Sequence, residues 1–133
     1  MFEMTTSVRL HDTDAAGLLF FAHQFRIAHD AYESFMEQIG YSFASIFRED
    51  DYLLPIVHAE ADYTAILNVG DRLAVRLVAE KIGETSFTLA YDLINDSGKS
   101  VGTVRTVHVC LDKSQREKRP LPDGLRQALE AHH

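Results

Sequence analysis

Apolar residues fall at positions 21, 25, 28, 32, 35, 36 and 39 of the chain, three or four apart, and this spacing predicts one face of an amphipathic helix. Arg26, Asp30, Glu33, Glu37 and Gln38 occupy the other side, and Gly40 stands where a C′ glycine belongs. The expected helix begins at Phe21 and ends near Ile39. After a loop at Arg48–Asp51 the rhythm changes to period two. Between 56 and 65, Ile56, His58, Glu60, Asp62 and Thr64 alternate with Val57, Ala59, Ala61, Tyr63 and Ala65. Leu73, Val75, Leu77 and Ala79 share a face of a strand at 72–82, and Phe87, Leu89, Tyr91 and Leu93 a face of one at 85–94. Gly83-Glu84 joins these two as a hairpin. A fourth strand, 100–111, sets Val104, Thr106, His108 and Cys110 opposite Val101, Val107, Val109 and Leu111. Residues 5–11 read as a short first strand, and Leu125–Leu129 as a terminal helix after Pro120 and Pro122.

One helix after a first strand, followed by a meander of four strands, is an α+β pattern. A lone helix of this length buries its apolar stripe best if the antiparallel sheet curls around it. That leaves strand edges to be covered, so the expected assembly is a homodimer with a continuous sheet.

The 133 residues suit a single domain. A net charge of −7 disfavours a nucleic-acid surface. No apolar run approaches the roughly 20 residues that span a bilayer, and the N-terminus carries no basic or hydrophobic signal pattern. Cys110 is the single cysteine and cannot form an internal disulfide. The expectation is a cytoplasmic protein with no membrane partner.

The candidate chemistry lies just before the long helix, at Asp12-Thr13-Asp14-Ala15-Ala16-Gly17-Leu18-Leu19-Phe20-Phe21. The first turn of a helix has unpartnered N–H groups, and Phe20, Phe21 and Ala22 cannot cap them through their side chains. Those amides, with the positive end of the helix dipole, could receive a ligand oxygen, and one such donor is worth about 3 kcal/mol in an acyl-transfer transition state. Alternatively Asp12, Thr13 or Asp14 folds back as a cap, or water fills the place. Asp14 is the candidate nucleophile or general base, held ionised by the helix dipole. Asp12, two residues earlier on an extended segment, points elsewhere. The competing reading of both acids is a turn former.

Four of the 13 Lys and Arg residues, Lys113, Arg116, Lys118 and Arg119, lie in seven consecutive positions. They form either a phosphate-binding patch, suited to a handle such as coenzyme A, or a solvated loop. His11, His23, His29, His58 and His108 lack paired spacing, so no metal is expected. His23, in the first helical turn, is placed to touch a substrate. His58 and His108 face the helix from two strands, as ligand contacts or as core or interface residues, while His132 and His133 form a terminal extension. No Gly-rich phosphate loop, Gly-x-Ser-x-Gly elbow or Cys/His pairing is present.

The segment Asp12–His23 resembles the 4-hydroxybenzoyl-CoA thioesterase branch of the hotdog-fold superfamily, whose long helix starts after an Asp-x-Asp-x-x-Gly-hydrophobic-aromatic segment. The similarity continues through His29–Glu33, Leu54–Ala59, Gly70–Leu73, Arg105–Cys110 and Arg119–Pro122. Within that branch these later segments are most similar to the 1,4-dihydroxy-2-naphthoyl-CoA thioesterases of phylloquinone and menaquinone synthesis.

The resemblance implies a hotdog fold, an antiparallel sheet wrapped around one central helix. It also implies hydrolysis of an aromatic acyl-CoA without a cofactor. Asp14 matches the catalytic carboxylate, and the Phe21 backbone N–H matches the donor to the thioester carbonyl oxygen. Gly17, Phe20, His23, His58 and Tyr63 are the expected substrate contacts, and Arg116, Lys118 and Arg119 the expected CoA contacts. The site lies between subunits of a dimer, which pairs further into a dimer of dimers. A broader 4-hydroxybenzoyl or short-chain acyl-CoA thioesterase, an acyl-carrier-protein thioesterase and a non-catalytic acyl-CoA-binding module are the alternatives.

Overall fold

The computed structural model describes residues 1–133. Its elements are β1 (Phe2–Ser7), a 3₁₀ turn (Leu10–Asp12), α1 (His23–Gln38), α2 (Phe43–Glu49), β2 (Tyr52–Leu53), β3 (Ile56–Tyr63), β4 (Arg72–Ile82), β5 (Ser86–Ile94), β6 (Ser100–Val109), β7 (Leu111–Asp112) and α3 (Asp123–Glu130). Five strands form one antiparallel sheet in the order β1-β4-β5-β6-β3, and β2 pairs with β7.

Strand register decides which side chains meet α1. Leu77 lies opposite Tyr91, and Tyr91 opposite Val104; Ala79, Leu89 and Thr106 form the next row. These rows share one sheet face with Phe2 and Met4 of β1 and Ala59, Ala61 and Tyr63 of β3. Against that face α1 buries Ile27, Ala28, Ala31, Tyr32, Phe35 and Met36. The helix occupies the hollow of the sheet, as the resemblance implies. No helix is long and apolar enough to cross a membrane.

Several expectations are corrected. The first strand is Phe2–Ser7 rather than 5–11, because the chain turns into the 3₁₀ segment at Leu10. The long helix starts at His23, not Phe21, and its buried stripe is rotated: Phe21 is 62% exposed while Gln24 is buried. A second helix takes in Arg48 and Glu49 of the expected Arg48–Asp51 loop and is capped where the Ser42 hydroxyl accepts the Ser45 amide. The fourth meander strand stops at Val109, and Leu111–Asp112 leaves the sheet to pair with β2.

Two polar contacts fix the start of α1. Gln24 donates from its Nε2 to the carbonyls of Asp62 and Thr103, at 2.9 and 3.1 Å, tying the first turn to both β3 and β6. Gly102 leaves room for that amide, since a Cβ there would meet it at 2.8 Å. Asp12, fully buried, accepts from Arg26 Nε at 2.6 Å and from the Arg9 amide at 3.0 Å. Removing one partner of such a pair strands a buried charge. Arg26→Ala is therefore expected to lower stability by about 3 kcal/mol in urea unfolding. A loss below about 0.5 kcal/mol would put the pair among surface ion pairs that contribute little.

Candidate active site

Asp12 to Phe20 forms a miniature hairpin. The Phe20 amide donates to the Asp12 carbonyl at 2.9 Å, the Asp14 amide to the Leu18 carbonyl at 2.8 Å, and Thr13 bridges Leu19. Gly17 takes φ +79°, a left-handed turn position that favours glycine. The hairpin is fastened to the neighbouring loop where Leu19 donates to the Leu67 carbonyl and Val69 to that of Gly17.

Asp14 sits at the exposed tip. Its Oδ1 accepts the Ala16 amide at 2.8 Å and the Leu18 amide at 3.3 Å, so one carboxylate oxygen shapes the turn while no group of the chain occupies the other. The turn-forming role weighed from the sequence is thus realised by one oxygen of the same side chain. Asp12 does point elsewhere, inward to Arg26.

The chain then enters α1 through a tight turn in which His23 donates to the Phe20 carbonyl at 2.8 Å. Ala22 is the N-cap residue and no side chain caps the helix. The amides of Phe21 and Ala22 donate to nothing within the chain. The three side chains that could have folded back are all engaged: Asp12 with Arg26, Asp14 within its own turn, and Thr13 Oγ1 with the Leu10 carbonyl at 2.7 Å. Helix-start donors thus remain available to an incoming oxygen, beside the positive end of the dipole.

Around them, Phe20 and Phe21 are exposed and stack obliquely, with ring centroids 4.9 Å apart. His23 packs edge-on against Phe20 at 5.5 Å, and its buried Nδ1 has no partner. Tyr63, at the end of β3, donates from its hydroxyl to the Phe21 carbonyl at 2.7 Å, holding the peptide that follows the Phe21 amide. Gly17, Phe20, Phe21, His23 and Tyr63 therefore belong to one junction.

The remaining expected contacts do not join them in one chain. His58 lies on the opposite sheet face from α1, 3.8 Å from Glu60, because period two groups it with Glu60 and Asp62. The expectation that it faces the helix is corrected. Arg119 is half-buried and bound to Asp51 at 3.0 Å, over the Tyr52 ring, so its guanidinium is committed. Arg116 and Lys118 are exposed. This basic segment packs near α2, where Lys113 donates to the Phe47 carbonyl, past the C-terminal end of α1. A 16-residue helix is about 24 Å long, so these cations stand far from the Asp14 turn of their own chain.

The profile of the thioesterase-like superfamily matches residues 8–129, nearly the whole chain. The chain belongs to that superfamily. A protein of Rippkaea orientalis named 1,4-dihydroxy-2-naphthoyl-CoA hydrolase is 35% identical over 98% of this chain and 96% of its own length. One of the same name from Synechococcus elongatus is 37% identical over 97% and 95%. The crystal structure of a 1,4-dihydroxy-2-naphthoyl-CoA thioesterase from Synechocystis superposes with a TM-score of 0.90 at 33% identity, covering 96% of this chain and 94% of the other. The superfamily's hotdog fold is the fold described above.

Under α1 lies a polar row that joins two strands. His108 is fully buried, stacked on Phe87 at 4.8 Å and close to Tyr32 at 4.4 Å. Its Nε2 lies 2.7 Å from Thr106 Oγ1, which lies 2.9 Å from the Tyr91 hydroxyl. Alternation along β6 signalled that Thr106 and His108 share the inner face; their linkage to Tyr91 needed the register.

Burial, helped by the charge of nearby His29, pushes the His108 imidazole down to about 3 from its ordinary 6.5. The unfolded chain then binds a proton near pH 6.5 that the folded chain refuses until about pH 3. Stability should fall as pH drops through that window, by up to about 1.4 kcal/mol per pH unit from this one group. Urea unfolding at pH 7 and pH 5 should show a smaller acid loss in His108→Gln than in the parent. Equal losses would mean that His108 takes its proton in both states alike.

Proposed function

We propose that residues 1–133 form one hotdog thioesterase domain that hydrolyses an aromatic acyl-CoA, most specifically 1,4-dihydroxy-2-naphthoyl-CoA, to the free acid and CoA in quinone synthesis. The observation that carries the chemistry is the uncapped start of α1 beside the Asp14 turn. The substrate reading is supported by relatives of that name, 35–37% identical over nearly the full length.

The thioester carbonyl oxygen accepts the Phe21 amide, where charge develops as the carbon becomes tetrahedral. Tyr63 holds the next peptide in place by donating to the Phe21 carbonyl. Asp14 uses the carboxylate oxygen not spent on the turn. It either adds to the carbonyl carbon, giving an anhydride that water cleaves, or takes a proton from the water that adds. The carbon–sulfur bond breaks with the electron pair on sulfur, and CoA leaves as a thiolate, so no strong acid is required. Phe20, Phe21, Leu18 and Leu19 supply apolar surface for the acyl group.

A second copy completes the site in this proposal. Every residue of β3 is exposed except Ala61, which is half-buried, and β3 is an edge strand of the sheet. Two-fold pairing of β3 with itself covers that edge and makes the sheet continuous. Because such pairing is antiparallel, it carries the α2 end of one subunit toward the Asp14 end of the other. Arg116 and Lys118 of the partner subunit would then meet the CoA phosphates. Stacking of two dimers and a cytoplasmic setting, consistent with the unpaired, buried Cys110, belong to the same proposal.

Asp14→Asn should lower kcat by 10²-fold or more in a thiol-release assay while dimer mass and melting temperature are kept, an order of magnitude typical of a group acting on the reacting atoms. Near-parental turnover would remove Asp14 from the reaction. Single-turnover hydrolysis in labelled water separates its two roles, since only the covalent route places label in the Asp14 carboxylate. Replacing Arg116 and Lys118 together by Ala should raise KM for the CoA thioester about tenfold with kcat little changed. An unchanged KM would return this segment to a solvated loop.

A further inference from the structure

The Phe21 amide is backbone, so its direction is set by what holds the peptides on either side of Phe21. On one side the Phe20 carbonyl, in the same peptide as that amide, accepts the His23 amide at 2.8 Å. On the other side the Phe21 carbonyl receives a long bond from within the helix turn, from the Gln24 amide at 3.4 Å. Its short bond comes from the sheet, from the Tyr63 hydroxyl at 2.7 Å. The start of α1 is thus aimed by β3 as much as by its own turn.

Gln24 answers Tyr63 in the opposite sense. Its side-chain Nε2 donates to the carbonyls of Asp62 and Thr103 at 2.9 and 3.1 Å. Asp62 and Tyr63, consecutive in β3, therefore grip Gln24 and Phe21, three positions apart at the helix start. Asp62 and Thr103 face one another in the register of β3 and β6, and a primary amide has the two N–H donors needed to reach both. The neighbouring pair in that register is Tyr63 and Gly102. A Cβ at Gly102 would lie 2.8 Å from both Nε2 and Oε1 of Gln24, and the three atoms nearest to it all belong to that amide group. Gln24 is 1% exposed, so water does not take over its bonds. An apolar residue is the ordinary occupant of such a position, and an amide there carries a desolvation cost that its hydrogen bonds offset.

We propose that Gln24 is a positioning residue for hydrolysis: with Tyr63 it clamps the start of α1 to β3 and β6, and so holds the Phe21 amide where charge develops on the thioester oxygen. The proposal rests on the thioesterase reading above and adds to it a buried residue that acts through the backbone donor. Such donors work by preorganisation, and a misplacement of about 1 Å costs on the order of 10²-fold in rate. Loss of the Gln24 bonds lets the helix start shift against β3 without removing the Phe21 amide. An interaction made only in the transition state is then weakened, which lowers kcat and leaves KM nearly as it was.

Gln24→Ala and Gly102→Ala, made in the intact protein, approach this contact from two sides. The first removes the amide. The second keeps Gln24 but sets a methyl against it, in strand backbone that alanine adopts without strain. Each should lower kcat for 1,4-dihydroxy-2-naphthoyl-CoA about tenfold or more, with KM changed by less than about twofold. The double variant should be no slower than Gln24→Ala, since the methyl then has no amide to displace. The carbonyl stretch of 2-naphthoyl-CoA bound to the slow Asp14→Asn protein separates positioning from a merely structural role. A hydrogen bond at the carbonyl oxygen lowers that frequency relative to the free thioester, and adding Gln24→Ala or Gly102→Ala should reverse most of the shift. Turnover within about twofold of the parent in both single variants overturns the proposal. A slowed variant whose bound carbonyl band has not moved overturns it too. Release of thiol from neither thioester by the parent protein overturns instead the thioesterase reading on which it rests.

Discussion

The ion pair between Asp12 and Arg26 ties the loop that carries Asp14 to the helix that carries the Phe21 amide. Its carboxylate is out of water, so the loop cannot lift from α1 without separating the charges or dragging Arg26 with it. The pair also explains why the helix start stays open. Asp12 could have capped α1, but it is spent on Arg26 and the Arg9 amide. Thr13 and Asp14 are likewise spent on the local turns. An uncapped first turn normally costs stability. Here the loss is accepted although three polar side chains lie between residues 12 and 14, all bonded elsewhere.

The sheet imposes a second constraint. β4, β5 and β6 bury alternate residues against α1, but β3 buries none, although it carries Ile56, Val57 and Tyr63. Tyr63 shows that the strand is nonetheless placed with care, since its hydroxyl reaches Phe21. β3 thus serves two geometries, one inward to the helix start and one outward to whatever covers its edge. Gln24 fixes the inward one by holding Asp62 of β3 and Thr103 of β6 at the same distance from the helix. In the proposed dimer a second copy added at that edge would inherit this alignment.

Much of this was legible in the chain. The helix, the meander and its faces follow from two periodicities, because each apolar row has one place to be buried. The junction proposed as the active site was legible through the motif Asp12–Phe21, where chain-local chemistry puts an acid, a glycine turn and an uncapped helix start together. α2 carried an overlooked signal: Ser42 as a cap, then Phe43, Ile46 and Phe47 at helical spacing. What the sequence could not disclose are contacts between residues far apart. Arg26 reaches back fourteen positions to Asp12, and Gln24 reaches seventy-nine to Thr103. His58 was misplaced for another reason. Period two states which residues share a face but not which face looks inward, and the pairing of His58 with Val107 and of Ala59 with Thr106 sends Ala59 to the helix.

The same register puts hydroxyls and an imidazole where a core would normally be apolar. Local consistency argues against this: Thr106 and His108 alternate with Val104 on a buried face, and a leucine or valine at either position would pack without desolvating a polar atom. Tyr91 and Thr106 satisfy one another, but Tyr32 and His108 each retain a polar atom with nothing to bond. Proteins tend to break the rules of a well-packed core where function requires it. The breach is not confined to one place in the core: Phe35 packs edge-on against His132, whose Nδ1 is likewise buried without a partner, and Leu77 lies opposite Tyr91.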